Sequence, residues 1–222
     1  MIGLSDALQY LTGYALHEDK GAYDLGIKII THLRFCVWDM GKKHGMKITI
    51  EESPAESAAR RLAKIDMKRY PDAAAFVRGS VERDEVYYTN SIHFVPEADV
   101  DLVTRIQKQA KFHSLIESGA IIHAFVGESR PSAGAIASLV RKTFEKTNAA
   151  QLTISPEFTI CKVCHHTTPG DGHRCARCGA TDIPGVRRMD ADERPATGWN
   201  RAAFQELERV RMAKAHGVKA KA

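Results

Sequence analysis

Two cysteine pairs, Cys161-Lys-Val-Cys164 and Cys175-Ala-Arg-Cys178, stand ten residues apart, and turn-forming residues follow each pair, Gly179 among them. Knuckles of this kind aim four thiolates at one tetrahedral ion, with Zn–S bonds of about 2.3 Å. Sulfur takes all four positions and leaves none for water. The spacing therefore predicts one structural zinc ion held by Cys161, Cys164, Cys175 and Cys178. A redox dithiol is the competing reading. His165, His166 and His173 lie close by and read as surface groups or groups that orient the ligands, with replacement of one thiolate as the alternative. The fifth cysteine, Cys36, falls in the helical run Ile29-Ile-Thr-His-Leu-Arg-Phe-Cys-Val-Trp38, which predicts a buried core thiol rather than a catalytic one.

Metal rather than disulfide is the expected use of the paired cysteines, because Met1-Ile-Gly-Leu-Ser-Asp6 has no basic stretch leading into an apolar one. The cytoplasm is the expected location. No apolar run approaches the roughly 18 residues that a membrane helix needs, so no membrane partner is expected. With 222 residues, 44% of them hydrophobic and 27% charged, the chain reads as globular and large enough to bury a core. Its net charge of +5 is unevenly placed, since residues 201–222 hold six Lys and Arg against Glu206 and Glu208. That basic tail reads as a solvated end, with nucleic-acid contact as the alternative.

Apolar positions at helical spacing mark residues 3–17 and 23–44, separated by the polar turn Glu18-Asp-Lys-Gly21. Met46-Lys-Ile-Thr-Ile-Glu51 alternates with period two and predicts a strand, and a helix is expected over 55–68. Further strands are expected at 86–95, 119–126 and 152–155, with helices over 99–116 and 132–147 between them. Strands alternating with helices imply an α/β fold with βαβ units and a parallel sheet, its active site at the strand C-termini. Near Pro156, Gly, Cys, His and Pro become dense. The expected division is an α/β unit over 1–155, a metal-binding unit over 156–200 and a basic helical tail over 201–222.

Tyr87-Tyr-Thr-Asn-Ser-Ile-His-Phe94, Gly119-Ala-Ile-Ile-His123, Phe125-Val-Gly-Glu128 and Ser155-Pro-Glu-Phe-Thr-Ile-Cys161 resemble the C-terminal part of anaerobic ribonucleoside-triphosphate reductases, the class III glycyl-radical enzymes. Glu51-Glu-Ser-Pro-Ala-Glu-Ser57 and Arg61-Leu-Ala-Lys-Ile-Asp66 resemble the same family, whose zinc ligands stand where the four cysteines stand. The resemblance implies the C-terminal half of a ten-stranded α/β barrel, followed by a four-cysteine zinc ribbon. It also implies conversion of ribonucleoside triphosphates to deoxyribonucleotides by radical chemistry. The family's thiyl-forming cysteine and its cone domain lie upstream of this region, so a separate N-terminal reductase polypeptide is the expected partner and the chain alone is expected to be inactive.

After its last zinc cysteine the family carries a glycine that stores the radical. Here the stretch reads Gly185-Val-Arg-Arg-Met-Asp-Ala191-Asp-Glu-Arg-Pro195, followed by Trp199-Asn200. Arg188, Arg194, Pro195, Trp199 and Asn200 match the family pattern, and Ala191 occupies the glycine position. A glycine Cα radical is planar, and a Cβ methyl crowds that geometry. The expectation is therefore another radical source, such as adenosylcobalamin or a separate radical-generating subunit. Gly198 is the substitute within this chain, at the cost of the Arg-Pro and Trp-Asn register.

Ser53-Pro-Ala-Glu-Ser57 lies at an expected strand-to-helix junction, where free backbone N–H groups suit a phosphate. The resemblance implies substrate phosphates at the same place, on Ser53, Ala55, Glu56 and Ser57. The plainer reading is an N-cap by Ser53 with Glu56 near the capping-box position. Tyr88, Asn90, Ser91 and His93 are expected at a strand end, either binding ribose hydroxyls or satisfying neighbouring loops. His123 reads as a core histidine. The alternative function is a non-catalytic zinc-ribbon remnant that binds nucleic acid or protein.

Overall fold

The computed structural model describes residues 1–52, 55–82, 85–95, 98–127, 131–169, 174–181, 185–189 and 192–195. The expected helix pair is α1 (Leu4–Thr12) and α2 (Lys20–His44). Gly13 stops α1 in the left-handed region at φ 82°, so Tyr14 and Leu16, which suggested a helix to residue 17, lie beyond its end. Asp19 caps α2 by accepting from the Ala22 amide at 2.8 Å. Lys42, Lys43 and His44 occupy its last turn, where cations favour the helix dipole.

The chain continues through α3 (Glu56–Arg69) and a 3₁₀ turn (Pro71–Ala75) to an antiparallel ribbon of β1 (Arg78–Ser80) and β2 (Glu85–Tyr87). Next come α4 (Leu102–His113), β3 (Ile122–Gly127), α5 (Ala133–Lys146) and β4 (Leu152–Ile160). Asp101 caps α4 and Ser132 caps α5 through their side chains. β3 and β4 pair in parallel, from Ile122 opposite Leu152 to Phe125 opposite Ser155, with α5 as the connection. This is the expected βαβ unit. β4 then passes residue 156 without a break and pairs antiparallel with β5 (Thr167–Pro169) and β6 (Gly185–Met189), and β7 (Asp192–Pro195) closes the order β3-β4-β6-β7.

The α/β class holds, and three strand expectations are corrected. Among the described residues, 46–51 form no ladder: what lies across from them is the short stretch Ser118–Gly119, with the Ser118 amide on the Ile50 carbonyl at 3.1 Å and an isolated bridge from Glu51 to Gly119. The strand expected over 86–95 is confined to Glu85–Tyr87, since its partner β1 has three residues and Ser91 then turns the chain at φ 49°. The parallel sheet reduces to one parallel pair within a mixed sheet. The fourth strand, by contrast, outruns its expected end at residue 155.

Leu8, Leu16, Ile30, Ile92 and Phe112 form the centre of the main core, where α1, α2, α4 and the 88–98 segment meet. A smaller cluster of Ile106, Ala110 and Ile122 lies between α4 and β3. The helix expectation for Cys36 holds but its burial does not: Cys36 is exposed, with its Sγ 3.4 Å from His32 Nε2. Leu33, Phe35, Trp38 and Met40 on the same stretch of α2 are exposed as well. Among the described residues, no helix is long and apolar enough to cross a membrane.

Gly41 is buried where the chain leaves α2 and folds back over it, with the Met46 amide donating to the Gly41 carbonyl at 2.9 Å. A Cβ on Gly41 would stand 2.5 Å from the Met46 carbonyl oxygen, which is backbone and cannot swing away. Gly41→Ala should therefore destabilise the chain by about 1–3 kcal/mol, overriding the helix-propensity gain of about 1 kcal/mol. Urea unfolding of the two proteins checks this, with a lower midpoint expected for the variant.

Candidate metal centre and buried polar cluster

Two knuckles of the same shape carry the cysteines. In the first, the Cys161 carbonyl accepts from the His165 amide at 2.9 Å and the Cys161 amide donates to the His166 carbonyl at 3.0 Å. In the second, the Cys175 carbonyl accepts from the Gly179 amide at 2.9 Å and the Cys175 amide donates to the Ala180 carbonyl at 2.7 Å. The fourth residue after the first cysteine of each pair is left-handed, His165 at φ 55° and Gly179 at φ 75°. Arg174 Nε braces the second knuckle from the Gly179 carbonyl at 3.0 Å.

The four sulfurs all lie within 4.8 Å of one another, with Cys161 to Cys178 at 3.5 Å and Cys164 to Cys175 at 3.6 Å. A tetrahedron with Zn–S bonds of about 2.3 Å has edges of about 3.8 Å, so the residues fit a four-coordinate ion. The amides of Cys178 and Arg177 pull the Cys175 thiol down to about 6. Cys178 moves the other way, to about 12, where the sulfurs of Cys161 and Cys164 outweigh the lowering by the Ala180 amide. Four thiols this close cannot all ionise without a cation among them. Among the described residues the cluster contains the four sulfurs and no histidine nitrogen, and His173 lies outside those residues.

The second group of polar residues gathers where the segments before α3, after β2 and before β3 converge. Glu52 is buried, and its Oε2 accepts from the Ile121 amide at 2.9 Å. His93 Nε2 lies 3.1 Å from the Ile121 carbonyl, which can only accept, so that nitrogen carries the proton; it is also 3.7 Å from Glu52 Oε2. His113, at the end of α4, accepts from the Ala150 amide at Nδ1 at 2.9 Å and turns Nε2 toward Glu52 Oε2 at 4.0 Å. The His123 ring stands edge-on to His93, with centroids 5.7 Å apart. Burial opposes the Glu52 charge, but His93, the Ile121 amide and His113 outweigh it and hold the carboxyl below the ordinary glutamate value. Burial pushes His113 below the ordinary imidazole value despite the Glu52 charge.

The structure brings together only part of the expected site. Asn90 and Ser91 are buried beside His93, with Asn90 bridged to Ile2 and the Ser91 carbonyl accepting from the Leu4 amide at 3.4 Å. Tyr88 faces elsewhere: its hydroxyl donates to Asp66 Oδ2 at 2.9 Å, and burial with Asp66 raises its pKa to about 12. It lines an open groove of about 720 Å³ with Tyr10, Leu62, Tyr70 and Phe76. α3 begins at Glu56 with Ala55 at the N-cap position, and the expected cap by Ser53 falls outside the described residues. Ser53 itself and Ala191 lie outside the described residues, and Ser57 is exposed. His123 is buried as expected. Glu52 and His113 escaped the sequence reading; the available signal was a carboxylate placed directly before Ser53-Pro54.

The model of the family described as anaerobic ribonucleoside-triphosphate reductase matches residues 1–212. The chain belongs to that family. An anaerobic ribonucleoside-triphosphate reductase of Enterobacteria phage T4 is 24% identical over 164 residues, which are 72% of this chain and 26% of that protein. One from Haemophilus influenzae is 25% identical over 126 residues, 55% of this chain and 16% of that protein. An anaerobic ribonucleotide reductase structure superposes with a TM-score of 0.74 at 20% identity, over 94% of this chain and 32% of its own. The Thermotoga maritima enzyme in complex with dATP and CTP gives 0.69 at 18%, over 96% and 32%. The chain thus shares the reductase fold and spans about a third or less of the length of these relatives.

The metal centre makes a direct prediction. The purified chain should carry one ion, and chelation should lower its melting temperature by more than about 10 °C. Cys164→Ser should lose the ion. Elemental analysis alongside a thermal melt checks this, and full stability after complete chelation would contradict a structural metal.

Proposed function

We propose that this chain is the C-terminal portion of a ribonucleoside-triphosphate reductase, with a half barrel leading into a zinc ribbon. The observation that carries this reading is the family match over residues 1–212 in a chain spanning only 26% of its phage T4 relative. The polypeptide holding the rest of the fold then acts as a separate N-terminal subunit and supplies the cysteine that becomes a thiyl radical. Exposed Leu33, Phe35, Trp38 and Met40 support a missing partner, since four large apolar side chains left in water on one stretch of helix are ordinarily covered. Zinc is the ion that an all-sulfur tetrahedral set best suits, and with no ligand position left for water it clips the ribbon shut.

On this reading the substrate is a ribonucleoside triphosphate. At the N-terminus of α3, where Ala55 at the N-cap has no polar side chain to offer, Ser53, Ala55, Glu56 and Ser57 would receive its phosphates. Asn90, Ser91 and His93 would orient the ribose, while Tyr88 stands apart against Asp66. Ala191 at the family's glycine position means that the radical arrives from elsewhere, from a cobalamin cofactor or another protein.

Alone, the chain should form no deoxyribonucleotide. Combined under strict anaerobiosis with a polypeptide carrying the family's preceding segment and a radical donor, it should form one. In that assembly a radical activase should produce a glycyl-radical electron paramagnetic resonance signal with Ala191→Gly but not with the native chain. Absence of product with every donor, from an assembly that does form, overturns the split-enzyme reading.

A further inference from the structure

Glu52 is joined to its surroundings in an unusual way for a residue at a strand-like crossing. Its backbone amide donates to the Gly119 carbonyl at 2.8 Å beside the bond from the Ser118 amide to the Ile50 carbonyl at 3.1 Å, an isolated bridge that no ladder extends among the described residues. Its side chain reaches the next segments instead: the Ile121 amide before β3, His93 after β2 and His113 at the end of α4. Four separate stretches of chain therefore meet at one carboxylate. Glu52 Oε1 and His113 Nε2 are buried and have no hydrogen-bond partner among the described residues.

A neutral amide at this position could still accept from Ile121, but it would offer no charge to two imidazoles 3.7 and 4.0 Å away. We propose that Glu52 is a positioning residue whose ionised carboxylate sets the His93 turn and the lead-in to β3 against the chain entering α3. This rests on the proposed function, because these are the segments that would cradle the nucleotide, and it adds the group that preforms them.

The groups facing the carboxylate are His93 from the turn after β2, His113 from α4 and the Ile121 amide, with His123 of β3 behind His93. Their pH dependence has a definite sign. Glu52 is held below its ordinary value, so its contribution is present above that value and lost as pH falls through its folded midpoint. His113 is also held low, so the unfolded chain takes up that proton first and stability falls as pH drops below the ordinary imidazole range. The cluster is thus set for neutral pH and loosens on acidification.

The test uses the full chain with Glu52→Gln, an isosteric change, followed by long-range ¹H–¹⁵N spectra of the histidines and by CTP binding. The native protein should show His113 as the neutral Nε2–H tautomer. The variant should lower the proton affinity of His93 and of His113 by about tenfold and weaken CTP by about tenfold. Unchanged histidine midpoints overturn the proposal. If CTP binds neither protein, the substrate reading falls while the midpoints still decide the role of Glu52. Should Glu52→Gln fail to fold, His93→Gln serves: it should raise the His113 midpoint, because His93 contributes to holding it low, and an unmoved midpoint overturns the proposal equally.

Discussion

Asp6 and Glu52 each use a buried carboxylate to take a backbone amide from a distant part of the chain, Thr89 at 2.6 Å and Ile121 at 2.9 Å. Around residues 46–52 and 88–95 the sheet offers isolated bridges instead of ladders, so these amides have no strand partner to satisfy them. A buried amide left unpaired costs about 1–3 kcal/mol, and a charged acceptor removes that cost at each crossing. Asp6 also accepts from Arg78 Nε at 2.8 Å and from the Thr89 hydroxyl, binding α1 to β1 and to the turn that leads to His93. Burial leaves the Asp6 carboxyl above its ordinary value, and Arg78 and the Thr89 donors offset only part of that desolvation. The placement of Asn90, Ser91 and His93 follows from these two anchors.

The metal centre depends on a different constraint. β4 carries the parallel pairing with β3 at its start and the antiparallel pairings with β5 and β6 at its end, and Cys161 follows immediately. The first knuckle is consequently an extension of a strand anchored in the α/β core, and the four clustered sulfurs join the second knuckle to it. Holding the ribbon shut at that end fixes where β6 and β7 leave the sheet.

Much of this was legible in the sequence where the signal is local. The cysteine spacing, the α5 segment with Ser132 at its start, and β3 with β4 around it all came through, because caps, knuckles and runs of apolar residues act over a few positions. Long-range effects did not. The alternation of Met46–Glu51 has a strand pattern but could not tell that no more than the short Ser118–Gly119 stretch would lie opposite. Tyr88 and His93 were grouped because they are neighbours in sequence, whereas a residue at φ 49° between them sends the chain on a new course. Glu52 and His113 are 61 positions apart and nothing local links them. Cys36 and its apolar neighbours read as core by periodicity, and they are exposed in a chain that spans a third or less of its relatives.

Native-state hydrogen exchange tests most directly whether carboxylates replace the missing ladders. The amides of Thr89 and Ile121 should exchange within about tenfold of those in the β3–β4 ladder, since each is held by a buried carboxyl oxygen. Exchange of both at the rate of open loops, with the ladder still protected, would contradict the account.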